Sequence, residues 1–185
     1  DVTGLPTPAR IRRGMARSFQ VTSLCLELSV LENVLLGSQL RNGGWLGFWK
    51  PAESNRAARD KAMAEISRVG LERRADVLAG ELSHGEQRQV EVAAALASDP
   101  ELILLDEPLA GLGHEEAAKM ISLLQQLKGQ VAMLMIEHDM QAVYSLADLI
   151  SVLNFGRLIA TGPVDEIRAH SAVREAYLGE EASLA

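Results

Sequence analysis

The chain has one cysteine, Cys25, so no internal disulfide forms, and a lone thiol fits a reducing compartment. No apolar run reaches the ~18 to 20 residues of a membrane-spanning helix, and the start lacks the charged-then-apolar order of a secretory signal. A soluble chain is expected. Internal repeats and low-complexity tracts are also missing, so organisation has to be read from changes of pattern. One further absence is chemical. A phosphate loop, G-x-x-x-x-G-K-[ST], needs a lysine directly after glycine, yet Lys50, Lys61, Lys119 and Lys128 follow Trp, Asp, Ala and Leu. These residues carry no such cradle.

What is present bounds the fold. At 185 residues and 48% hydrophobic content, the chain can bury one core or two closely joined lobes, which argues against disorder. A formal charge of -7 argues against a general nucleic-acid surface. Against that acidic background Arg10, Arg12, Arg13 and Arg17 form a basic start, read as a solvated or partner-facing edge. The opening Asp1-Val-Thr-Gly-Leu-Pro6 reads as the middle of a domain, entered just after a strand, and suggests an excerpted chain.

From about Val30 to Ala97 the spacing is helical: Val30 to Leu40 is apolar on one face, and Ala52 to Val69 is rich in Ala, Arg and Glu. Between them lies a glycine-rich loop, Asn42 to Pro51, which holds three of the seven aromatic residues, Trp45, Phe48 and Trp49. It either meets a partner or folds back on its own helices. After Pro100, short apolar runs alternate with helices: Leu102 to Asp106, a helix near Glu115 to Lys128, Val131 to Ile136, a helix near Met140 to Leu146, then Leu149 to Leu153. That alternation predicts a parallel sheet with crossover helices, and runs apolar throughout predict strands covered on both faces. Asn154-Phe-Gly156 turns into Arg157 to Thr161 as an antiparallel hairpin, and helices follow from Val164. Two lobes result, one helical and one α/β.

Ligands of an open parallel sheet gather at the carboxyl ends of its strands. Here one apolar run delivers Asp106 and Glu107, and another delivers Glu137, His138 and Asp139. Adjacent carboxylates at such an exit suit a magnesium–nucleotide site, Asp106 holding the metal and Glu107 orienting and polarising the attacking water. Pro108 ends the strand, having no N–H for a ladder. Upstream, Ser83 and Glu86 form a capping box that starts a helix running to Ala97. Free N–H groups at that terminus, a serine hydroxyl, and Gly85 permitting close approach make an anion site suited to phosphate. Each feature also has a plain reading: a capped helix, a strand-to-loop transition, a histidine satisfied by a backbone carbonyl.

Taken together, these segments closely resemble the ATP-binding cassette (ABC) family of transport ATPases. Leu82-Ser-His-Gly-Glu-Gln-Arg88 matches the family signature, with His84 in place of the commoner glycine. Leu102 to Pro108 matches its Walker B strand, Arg17-Ser-Phe-Gln20 its Q-loop, Ala110-Gly-Leu112 its D-loop, and His138 its switch histidine. Within the family the likeness is to branched-chain amino-acid importers, carried by Gly14 to Gln20, Val30 to Leu35, Ile136 to Met140, Val152 to Gly156, and Ala176 to Gly179.

The resemblance implies an α/β fold: a partial ABC-type P-loop NTPase, with a parallel-sheet lobe and a mostly α-helical signature subdomain. Its implied parts are about 1–29, the end of a first lobe with the Q-loop; about 30–97, the helical subdomain; and about 98–185, the Walker B and switch lobe with C-terminal helices. It implies ATP and Mg2+ as cofactors, with Glu107 and His138 catalytic, and Gln20 and Asp106 at the metal. Ser83, His84, Gly85, Glu86 and Gln87 would meet the nucleotide of an opposite protomer. Implied partners are a second ATP-binding subunit and transmembrane permease subunits, at the inner face of the cell membrane, with no nucleic acid.

The sequence departs from the pattern in several places. Besides the phosphate loop, the adenine-stacking aromatic that precedes it in the family is missing; Gly113 replaces an aspartate or asparagine, and Ala94 an arginine. Activity of these 185 residues alone is therefore not expected. Two other readings stay open: a non-catalytic interaction module, and a non-transport cassette ATPase, which coiled-coil insertions or tandem cassettes would mark and which this chain lacks.

Overall fold

The apolar runs and the Ser83-x-x-Glu86 box become strands and a helix start in the computed structural model, which describes residues 1–17, 24–42 and 56–181. In chain order the elements are α1 (Thr7–Arg12), β1 (Met15–Arg17), α2 (Val30–Asn42), α3 (Arg56–Arg68), α4 (His84–Leu96), β2 (Leu102–Asp106), α5 (His114–Leu127), β3 (Ala132–Ile136), α6 (Met140–Leu146), β4 (Ile150–Asn154), β5 (Arg157–Gly162), α7 (Val164–Ala169) and α8 (Ser171–Glu181). They divide into two compact units, residues 1–137 and 138–185. Gln20 and the loop bearing Trp45, Phe48 and Trp49 lie outside the described residues.

In the first unit, helices α2, α3 and α4 pack through Val30, Val34, Leu35, Ala62, Ile66, Val90 and Ala93, all essentially sealed from solvent. At roughly 1.5–3 kcal/mol for each fully buried large aliphatic side chain, this contact is a main source of the unit's stability. Two features set its geometry. Gly37 lets α2 touch the backbone of α4, since a Cβ there would stand 2.1 Å from the carbonyl oxygen of Ala94. Asn33, 5% exposed, accepts from the Cys25 N–H and donates to the carbonyls of Cys25, Leu28 and Ser29, stitching the preceding segment to α2.

The sheet of this unit has the order β1-β2-β3, all parallel, with Asp106 in register with Ile136. Both α1 and β1 go beyond what the sequence predicts: α1 is one short turn after Pro6, and β1 has three residues, too few for a periodic signal. The expectation of strands covered on both faces needs correction at β3. Leu134 and Ile136 are 61% and 62% exposed, whereas Met133 and Met135, which alternate with them, are half-buried. Successive side chains point to opposite faces, and on this edge strand one face is uncovered among the described residues.

In the second unit, β4 and β5 pair antiparallel, as the turn at Asn154-Phe-Gly156 predicts, with a bulge between Val152 and Leu153; the run Leu149 to Leu153, expected in the parallel sheet, pairs instead with β5 in a separate two-stranded sheet. Ile150, Val152, Ile167 and Val173 form its small core, and Arg168 lies over the Tyr144 ring at 4.3 Å.

Candidate functional site

β2 carries Ile103 and Leu105 into the core and releases Asp106 and Glu107, both half-buried, at its carboxyl end. Glu107 has a φ of +47°, the left-handed region that non-glycine residues avoid, at a cost of about 1–3 kcal/mol. Neighbours hold it there: its N–H donates to the Ile136 carbonyl at 2.9 Å, its carbonyl accepts from Ala110, and the Leu109 N–H donates to Glu137 Oε1 at 2.9 Å. Glu137 thereby fixes the loop after Asp106 and Glu107, a role the sequence reading did not assign. Asp106 is also engaged, by the Arg17 guanidinium at 3.1 Å. Arg10, for its part, donates to the carbonyls of Leu5 and Thr3. The basic start is accordingly not a purely solvated edge.

The second cluster stands at the start of α4. Ser83 is its N-cap: the Glu86 N–H donates to Ser83 Oγ at 3.2 Å, and the Ser83 N–H donates to the Glu86 carboxylate at 2.9 Å, completing the predicted capping box. Glu86 also pairs with Arg74 at 3.1 Å. Gln87 turns inward and donates to the Ala79 carbonyl at 3.0 Å, while His84 is exposed with its imidazole close to Gly111. Beneath this end, Arg88 and Glu91 form a buried ion pair at 2.9 Å.

A residue not anticipated completes the cluster. Ser83 Oγ donates to Glu116 Oε1 of α5 at 3.1 Å, and the other oxygen, Oε2, accepts from the Gly113 N–H at 3.3 Å. The Glu116 carboxylate fills the space left by Gly85, where a Cβ would lie 2.6 Å from its carbon. Arg74, Gln89 and Lys119 line the adjoining concavity of about 330 Å³. The Gly113-x-x-Glu116 spacing gave a faint sign of a helix start; nothing in it pointed to Ser83.

His138 lies two residues beyond the end of β3, is exposed, and opens the second unit. Asp139 beside it is the N-cap of α6, accepting from the Gln141 and Ala142 N–H groups. Among the described residues no three His, Cys, Asp or Glu side chains gather as a metal cluster. A single carboxylate still suits magnesium, which keeps several waters and takes its remaining ligands from phosphates. Asp106 fits that use once Arg17 gives way.

Residues 2–110 match the ABC transporter family, and residues 157–183 match the family described as branched-chain amino acid ATP-binding cassette transporter. The sequence is 38% identical, over 96% of this chain and 72% of the relative, to the high-affinity branched-chain amino acid transport ATP-binding protein LivG of Escherichia coli K12. It is 31% identical to the lipopolysaccharide export system ATP-binding protein LptB of the same organism, over 98% of this chain and 72% of the relative. Among solved structures, an ATP-binding cassette of an ABC transporter in its ADP conformation superposes with a TM-score of 0.78 at 29% identity, covering 93% of this chain and 71% of that one.

Proposed function

The chain belongs to the ABC transporter family, and on that premise we propose that it is the ATP-binding and hydrolysing part of an importer subunit. It powers the import of a branched-chain or other small polar amino acid through permease subunits, to which it docks at the inner face of the cell membrane. One observation carries this reading: a serine-capped helix start, an Asp-Glu pair at the exit of a parallel strand, and a histidine after the neighbouring strand stand in the order and context that the family's chemistry uses.

Roles follow from position. Ser83 and Gly85 present the start of α4 to the terminal phosphate of ATP on a second cassette, where free N–H groups and the helix dipole favour negative charge. Asp106, with Gln20, holds magnesium, which neutralises charge on the phosphate oxygens when bound. Glu107 accepts a hydrogen bond from the attacking water and raises its nucleophilicity. His138 contacts the γ-phosphate. Residues of about 30–97 form the helical part that bears the signature, and the following lobe bears the carboxylates and histidine.

These 185 residues hold no glycine–lysine loop, and each charge-assisted phosphate contact is worth roughly 1.5–3 kcal/mol. Calorimetry on the chain alone is expected to show no micromolar ATP binding. Joining a phosphate-loop segment of a related cassette ahead of Asp1 is expected to confer ATPase activity, and Glu107→Gln in that fusion to retain ATP while turnover is nearly lost. Unchanged turnover would remove Glu107 from its role. Tight ATP binding by the chain alone would overturn the division of labour.

A further inference from the structure

A serine hydroxyl has one proton to donate. In this chain the Ser83 proton is committed, because Oγ donates to Glu116 Oε1 while its lone pair accepts the Glu86 N–H. The carboxylate that takes it also occupies the open side of Gly85 so closely that any Cβ at residue 85 would collide with it. It is tethered from behind as well, Oε2 accepting from Gly113. Arg74, whose Nε is buried without a partner, and Lys119 line the same concavity, so the anion lies among cations and at the positive end of α4. The Ser83 hydroxyl that would meet a phosphate here already binds Glu116.

We propose that Glu116 is a built-in occupant of the start of α4: its carboxylate stands at Ser83 and Gly85 in place of a phosphate, and a phosphate engages the serine only after that carboxylate swings out. The inference rests on the reading of Ser83 and Gly85 as acceptors of a partner's phosphate. Two anions cannot share one donor, and at this spacing they repel. Because Glu116 also holds the N–H of Gly113, its release frees the end of the 110–113 loop at the same moment. Phosphate arrival and loop release thus become one event.

The test uses the full chain, titrated with tripolyphosphate while the backbone amides of Gly85 and Glu86 are followed by NMR. Glu116→Gln removes the charge and keeps a single acceptor oxygen, which serves Ser83 or Gly113 but not both, and Glu116→Ala removes charge and reach together. Both are expected to bind tripolyphosphate about two- to tenfold more tightly than the parent at those amides, and Ser83→Ala placed on Glu116→Gln is expected to erase the gain. Equal affinity in parent and both variants, with Gly85 responding in each, would overturn the occupant role and leave the phosphate reading of Ser83 standing. If no variant shows a response at residues 83–86, the phosphate reading fails and the occupant role fails with it.

Discussion

At the start of α4 the polar groups answer one another: Ser83 caps Glu86, Glu86 caps Ser83 and pairs with Arg74, and Glu116 closes the remaining side. At the exit of β2, by contrast, Glu107 is held in a left-handed conformation that its side chain disfavours, kept there by bonds to Ile136 and Ala110. Both places carry an internal counter-charge, Glu116 at the serine and Arg17 at Asp106. They differ in what their geometry costs. The start of α4 is part of the fold's own stability, whereas the carboxylate end is maintained against local preference by its neighbours.

The largest effect is expected where α4 packs against α2. Gly37→Ala would drive a Cβ to 2.1 Å from the Ala94 carbonyl oxygen, with backbone rather than a yielding side chain on the other side. Overpacking of this kind costs about 3 kcal/mol. Urea denaturation should show that loss, and tripolyphosphate response at Gly85 should fall with it as α4 shifts. A Gly37→Ala chain of parental stability would mean that α2 and α4 adjust freely, and the start of α4 would lose its claim to rigidity.

The same contact shows what the sequence can and cannot tell. The helix start at Ser83, the strand ending in Asp106, and the hairpin at Asn154-Phe-Gly156 were legible because each is a local signal, a cap, a breaker or a turn, within a few residues of its effect. Ala94 was legible only as a departure from the family's arginine; that its backbone lies under Gly37 depends on two residues 57 positions apart in the sequence. Glu116 and Arg17 were hidden for the same reason, since a lone carboxylate or guanidinium carries no mark of the distant group that it will meet. Exposed Leu134 and Ile136 show the opposite error. An unbroken apolar run states what a strand tolerates, not which of its faces is covered.

A paired substitution tests the comparison directly. Ser83→Ala removes a cap and is expected to cost about 1 kcal/mol. Glu107→Gly relieves left-handed strain, so it should be more stable than Glu107→Ala by about 1 kcal/mol, reversing the usual order of alanine over glycine. Thermal melts of the three variants suffice. If Glu107→Ala proves the more stable of its pair, Glu107 is not strained, and the two ends do not differ as argued.

The smallest effect comes from a control cap that faces no proposed ligand. At the start of α2, the Ser29 N–H donates to Glu32 at 2.7 Å and the Ser29 hydroxyl at 2.8 Å, and these bonds, the backbone one foremost, hold the Glu32 carboxyl below its ordinary range against a small desolvation penalty. A carboxyl whose folded pKa lies below its unfolded value adds stability above the unfolded pKa and loses it as pH falls through the folded one. The stability gap between the parent and Glu32→Gln is therefore expected to be widest at neutral pH and to close in acid, below about pH 4. Urea midpoints measured across that range check the sign. A gap that stays constant would mean that Glu32 acts by geometry alone, and the charge of the equivalent Glu86 would then lose its part in setting up the start of α4.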